Sequence, residues 1–295
     1  MRSRFGGDDH GSQTFKPAFD VDSYASGSLV RSDIIRIHDF DYAKGGPGGG
    51  PGGGGSGSGS TTWVSGTPTT GDNNVEYNIQ ITFKGTWTDT QIATVKTAAN
   101  LVSDWITSDI QDVLYKGKII DDLSLTMEIS NIDGVNGILG QAGPTAIRSG
   151  SSFDPYLPAT GVIQFDLADM DAFSGQFGAI VLHEILHTVG FGSVWSYFNG
   201  LVIGGMFMGT SATGVYGNSI PIEQDGGAGT AGSHWDEATF KDELMTGYIG
   251  YSDGTTYDST NELSYMTVAS LDDIGYDVMT GLDFKNTFGD PYAVA

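Results

Sequence analysis

The chain has 295 residues, 39% of them hydrophobic, which is enough to bury a core of ordinary size in one large domain or two small ones. Thirty-six acidic against thirteen basic residues give a formal net charge of -23, and with no Lys/Arg cluster to offset it this excludes nucleic acid and anionic membranes as partners. The lack of cysteine excludes a disulfide framework, a Cys-rich structural zinc site and a thiol nucleophile.

The first segment, Met1–Lys44, holds one stretch with ordered character, Leu29–Phe40, readable as a strand or a short helix. It is too small to fold alone, and three roles compete for it: prosegment, secretion or assembly tag, and disordered tail. The Gly/Pro/Ser-rich run 45–60 is a flexible linker that separates this piece from the 61–295 domain. Asn78–Phe83 alternates as a strand, and Thr88 with Gln91 forms a capping box. The helix it opens carries Ile92, Val95, Ala99, Val102 and Ile106 at helical spacing, with Trp105 beside them. Leu123–Ile129 alternates again, Ile138–Ile147 reads as a broken strand or loop around Gly143-Pro144, and Gly161–Asp166 reads as an edge strand. Ser174 is the expected cap of an apolar helix running through Leu182, Ile185, Leu186 and Val189. Tyr197–Gly232, rich in small residues, reads as a surface excursion, and Leu263–Ile274 as a last helix ending at Gly275.

The chemistry concentrates in the apolar helix, at His183-Glu184-Ile185-Leu186-His187. Residues four apart on a helix share a face, so His183 and His187 can present two imidazoles to one metal ion. Glu184 then lies where it can reach a water on that metal and take its proton. A catalytic zinc usually takes three protein ligands and keeps one open position. Gly190 is placed to stop the helix and turn the chain back. A compact site would have its third histidine six residues after His187, but that position is Ser193, so a distant residue must substitute. Of the five histidines, His10, His38, His183, His187 and His234, the last stands alone in the C-terminal part after the helix.

Three segments, HEILHTVGFGSVW, GGAGTAGSHWDEATFKDELMTGY and SYMTVASLDDIGYDV, resemble the leishmanolysin family of metzincin zinc endopeptidases. The resemblance is strongest there and extends from Asn74 to Val278. It implies His183, His187 and His234 as ligands of one catalytic zinc ion, Glu184 as general base, and Met245 as the methionine of the turn beneath the metal. It implies an α+β, metzincin-type zincin fold, with a twisted mixed β-sheet, an active-site helix and a lower C-terminal helical subdomain. The function expected is a zinc-dependent endopeptidase acting on protein or peptide substrates, as a monomer; the alternative is a non-catalytic binding or adhesion protein on the same scaffold. The parasite members of the family are disulfide-rich, so this cysteine-free chain is more like the plainer bacterial ones.

Several residues around this core have two readings. Trp235 is expected to pack against the helix, and Asp236 or Glu237 to hold a ligand's second nitrogen. Tyr248 stands three residues after Met245 rather than two, so a role in wall or packing is expected instead of a zinc-linked tyrosine. Phe5-Gly6-Gly7-Asp8 faintly matches an aspartate switch, with chance the favoured account. Aspartates near glycine, at Asp72, Asp133, Asp154, Asp225 and Asp253, suit calcium, although no EF-hand loop or nonapeptide array is present and acidic surface for solubility is the favoured account. No segment reaches the roughly 18 to 20 apolar residues of a membrane span, and MRSRFGGDDHGSQTF lacks the apolar run of a standard signal peptide. The expected location is therefore extracellular by a leaderless route, with the cytoplasm as the alternative.

Overall fold

The computed structural model describes residues 34–36, 61–66, 76–135, 137–150, 152, 154–249, 251–252, 257–258 and 261–288. Its main feature is a six-stranded mixed sheet. The first strands are β1 (Ile34–Arg36), β2 (Thr61–Val64) and β3 (Ile79–Lys84), followed by helix α1 (Asp89–Trp105). A hairpin of β4 (Val113–Tyr115) and β5 (Lys118–Ile120) leads to β6 (Leu123–Ser130), β7 (Gly140–Arg148) and β8 (Pro158–Asp166). The order across the sheet is β1-β7-β8-β6-β3-β2. Strands β3, β6 and β8 run parallel to their neighbours in that set, whereas β1, β7 and β2 pair antiparallel.

The expected capping box is present: the Thr88 hydroxyl accepts from Gln91 N at 3.2 Å and Gln91 Oε1 accepts from Thr88 N at 2.9 Å. Val95, Ala99, Val102 and Trp105 are buried, so the apolar stripe of α1 faces the core as its spacing predicts. Ile106 lies one residue past the helix, in a bridge to Val278. In β3, Ile79, Ile81 and Phe83 are buried and the residues between them are not, which is the pattern of a strand with one covered face.

Two sheet expectations need correction. Ile138–Ile147 is not broken: Gly140–Arg148 is one strand, with register shifts on either side of Ala146. Pro144 is tolerated because β1 pairs only with Ala146, Ile147 and Arg148, so the outer side of β7 carries no described strand at Pro144. Gly161–Asp166 belongs to a longer strand that is central, between β7 and β6, and both of its faces are largely buried. Along Gly140–Thr145, where β1 does not reach, β7 is the outermost described strand.

Helix α2 (Phe177–Val189) packs against β7, β8 and α1. Its N-cap is Gln176 with no side-chain capping bond, so Ser174 does not serve as the cap; it lies in the preceding turns. The segment Tyr197–Gly232 is more than a surface excursion. It contains β9 (Val202–Ile203), β10 (Met206–Phe207), α3 (Thr210–Tyr216) and β11 (Ile220–Pro221), forming a three-stranded sheet and a helix that bury Phe207, Ala212, Ile220 and Ile222. The chain continues through α4 (Glu237–Phe240), β12 (Tyr251–Ser252), β13 (Tyr257–Asp258), α5 (Tyr265–Asp272) and α6 (Gly281–Phe288). Helix α5 falls within the expected Leu263–Ile274 and is capped by Ser264. Helix α6 was not expected; its Phe284 packs on Trp105 at 6.4 Å between ring centroids.

The structure is therefore α+β with a mixed sheet. No helix among the described residues is long and apolar enough to cross a membrane. Phe5–Asp8, His10, His38, Asp72, Asp253 and most of Leu29–Phe40 lie outside the described residues, and the strand at Ile34–Arg36 is the part of that last stretch that is seen.

Candidate metal centre

Helix α2 is apolar on nearly every side, and His183, Glu184 and His187 are buried in it with exposures of 0%, 1% and 7%. The chain leaves the helix at Gly190, with φ +123°, and the Phe191 N–H closes back on Leu186 O at 3.0 Å. Gly192 follows at φ +70°, and a Cβ there would stand 2.1 Å from Ser233 O. Only a residue without a side chain lets the Ser233-His234 loop come this close. His234 is thereby delivered to the other two histidines and is itself 3% exposed.

The three Nε2 atoms form a nearly equilateral triangle, with His183–His187 and His187–His234 at 3.0 Å and His183–His234 at 3.1 Å. Each ring's other nitrogen faces a backbone carbonyl: His183 Nδ1 to Leu244 O at 2.7 Å, His187 Nδ1 to Phe191 O at 2.9 Å and His234 Nδ1 to Thr230 O at 2.9 Å. A carbonyl can only accept, so all three Nδ1 atoms carry the proton and the Nε2 atoms present lone pairs. Burial holds the His183 imidazole well below its usual pKa and lowers that of His187 too, which keeps these rings neutral. Three converging lone pairs with no proton between them repel one another unless a cation joins them. The spacing suits a zinc ion at the usual Zn–N distance of about 2.0–2.1 Å on one side of the triangle. The donor set therefore fits zinc.

Glu184 points its carboxylate toward the outer strand. A Cβ on Gly140 of β7 would come 2.8 Å from Glu184 Oε1 and 3.0 Å from its Cγ, so the strand can lie this near only with glycine at that position. The turn after α4 passes close to two of the histidines. Its Leu244 carbonyl holds His183, and a Cβ on Gly247 would stand 4.0 Å from His234 Cγ. Met245 lies between these contacts, is fully buried, and accepts from Trp235 N at 3.0 Å.

The second nitrogens of the three rings face backbone carbonyls, where carboxylates beside His234 were expected. Asp236 instead caps α4 by accepting from Thr239 N at 2.8 Å, and the Glu237 N–H donates to Glu223 Oε2 at 3.1 Å. Trp235 packs beyond the end of α2 against Phe191, Trp195 and Phe207. Tyr248 lies against the Gly226 loop, its hydroxyl 3.1 Å from where a Cβ of that residue would be. Sequence reasoning missed Gly140, Gly192, Glu223 and Glu243. Glu223 ties the His234 loop together, accepting from Asp225 N at 2.7 Å and from Glu237 N, while its own N–H donates to His234 O at 2.9 Å. The available signal for Glu243 was only its place two residues before Met245.

A family model described as leishmanolysin, of peptidase family M8, matches residues 216–284. That span contains His234 and Met245 and excludes His183 and His187, so the match and the helical motif point to the same site independently. A leishmanolysin homolog of Crithidia fasciculata is 24% identical over 184 residues, which is 53% of this chain and 25% of that protein. The chain thus spans about a quarter of the length of the curated relative it matches. Both similarities are to leishmanolysins, and the stretch that the family model matches contains His234 of the buried three-histidine group.

Proposed function

We propose that the protein is a zinc-dependent endopeptidase of metzincin type, with residues 61–295 as its catalytic domain, joined through the 45–60 linker to the 1–44 segment. The observation that carries this reading is the triangle of unprotonated Nε2 atoms of His183, His187 and His234, 3.0 to 3.1 Å apart. When bound, zinc supplies the Lewis acidity that polarises a peptide carbonyl and makes a water acidic near neutral pH. Glu184, next to the first ligand and buried at its side, takes the proton of the attacking water and delivers it to the departing amine. The carbonyls of Leu244, Phe191 and Thr230 keep each imidazole in the tautomer that leaves Nε2 free to bind. Met245 provides the apolar floor.

An extended peptide would be held by main-chain hydrogen bonds along the outer side of β7, between Gly140 and Thr145, where it runs past Glu184. This replaces the expectation that Gly161–Asp166 would be the receiving edge, since that strand is central.

Cleavage of casein by the full chain, with and without a zinc chelator and beside Glu184→Gln, tests the proposal. Metal content is measured on the same samples. The expected result is chelator-sensitive cleavage that the variant has lost while keeping its zinc. A variant retaining more than about a tenth of the rate would remove Glu184 from the base role, because general-base catalysis contributes about 10²–10⁴-fold. Full zinc occupancy with no cleavage by the wild type would favour the binding-protein alternative or latency imposed by Met1–Lys44, and the same assay on a chain starting at Thr61 separates the two.

A further inference from the structure

Glu243 is 5% exposed, and a buried carboxylate is costly unless its lone pairs are filled. Here they are. Oε1 accepts from the Thr267 hydroxyl at 2.5 Å, the Ser264 hydroxyl at 2.7 Å and Ser264 N at 3.2 Å, and Oε2 accepts from Met245 N at 2.5 Å. The first three donors belong to α5 and its cap, and the fourth belongs to the turn that carries Met245. Capping of α5 does not require this acid, because the Ser264 hydroxyl itself receives the Thr267 N–H at 3.4 Å.

The contacts leading out of Glu243 end at two of the three histidines. On one side the residue next to it, Leu244, presents its carbonyl to His183 Nδ1 at 2.7 Å. On the other, the Thr267 hydroxyl that donates to Glu243 accepts from the indole of Trp235 at 2.8 Å, and Trp235 N donates to Met245 O at 3.0 Å. Trp235 follows His234 directly.

We propose that Glu243 is a positioning residue of the metal centre, whose carboxylate fixes the Leu244–Met245 turn and the Thr267–Trp235 pair so that His183 and His234 are held at one mutual spacing. The proposal rests on the reading of the three histidines as a metal site. The metal does not touch Glu243. The carboxylate acts by removing the freedom of the turn that orients one ligand and of the indole beside the other, and partners one step behind a ligand commonly change metal affinity by about 10–100-fold.

The test uses the full chain with Zn²⁺ and Co²⁺ as probes, and reads dissociation constants by competition with a chromophoric chelator, the visible spectrum of the cobalt form, and the melting of the metal-free protein. Glu243→Gln preserves shape but sets an amide N–H₂ against a group that is already a donor. The expected result is a folded metal-free protein whose melt falls no further than one mispaired N–H accounts for, an affinity lowered by about 10–100-fold and an altered cobalt spectrum. Thr267→Val and Thr267→Ser give a second pair: Val lacks the hydroxyl and should weaken binding, whereas Ser keeps it and should restore binding. If Glu243→Gln binds both ions like the wild type with an unchanged spectrum, the positioning role is overturned. If Glu243→Gln does not fold, equal affinities of the Val and Ser variants overturn it instead. A wild-type chain that takes up neither ion overturns the metal reading and this proposal together, whereas the other negative results leave the metal reading standing.

Discussion

Asp122 and Glu243 are two buried carboxylates built alike and set in different halves of the molecule. Asp122, just before β6, accepts from Asn78 N at 2.6 Å and Ile110 N at 2.9 Å, and burial pushes its pKa up to about 8 against the pull of those two bonds. Behind it the fully buried Arg148 guanidinium donates to the carbonyls of Gln111, Pro158, Asp121 and Asp122. Every one of these partners belongs to the sheet or its connections. Burial raises the pKa of Glu243 too, and it is likewise filled with donors, but its partners lead to His183 and to Trp235 beside His234. The same chemistry closes the end of a sheet in one place and, in our proposal, positions a metal centre in the other. What separates them is the destination of the hydrogen bonds, which burial alone does not reveal.

The comparison can be broken or sharpened by substitution, beginning with the largest effect. Glu184→Gln in the site half should reduce kcat by about 10²–10⁴-fold with zinc content unchanged, measured by casein turnover and metal analysis. Gly192→Ala should follow, because it combines a left-handed backbone with a Cβ 2.1 Å from Ser233 O. We expect it to cost about 3 kcal/mol or more in denaturant unfolding, and to weaken metal binding because the His234 loop must move. Removing zinc should lower the melting temperature by about 10 °C if the metal is present at about a thousand times its dissociation constant, as scanning calorimetry with and without chelator would show. Asp122→Asn should produce the smallest effect, about 1–3 kcal/mol of stability from one mispaired N–H, with metal affinity at the wild-type value. Set beside Glu243→Gln, that last result would separate the two carboxylates. Equal losses of metal affinity in both would erase the distinction.

How much of this was legible in the sequence varied with the distance over which each interaction acts. The capping box at Thr88, the buried stripe of α1, the alternation of β3 and the end of α2 at Gly190 involve residues within a turn or two of one another, and all appear as read. Errors arose where a neighbour in space decided the outcome. Pro144 suggested a break, but the strand survives because its outer side at that point faces no described strand. Gly161–Asp166 had the composition of any strand, and only pairing on both sides made it central. Asp236 and Glu237 stood next to a histidine in sequence, yet backbone carbonyls took the ring nitrogens that a carboxylate was expected to hold.

The chain by itself therefore determined the helix that sets His183, Glu184 and His187 in order, because a 3.6-residue period dictates which side chains share a face. It also required any third histidine of the group to come from far away, since Ser193 occupies the compact position. Only the tertiary structure decided that His234 reaches the other two at 3.0 to 3.1 Å, because the approach depends on Gly192 lying under Ser233. Glu243 behind the metal-site turn and Gly140 beside Glu184 were likewise set by the fold. Such contacts join residues tens of positions apart, and no local period or spacing encodes where packing will bring them together.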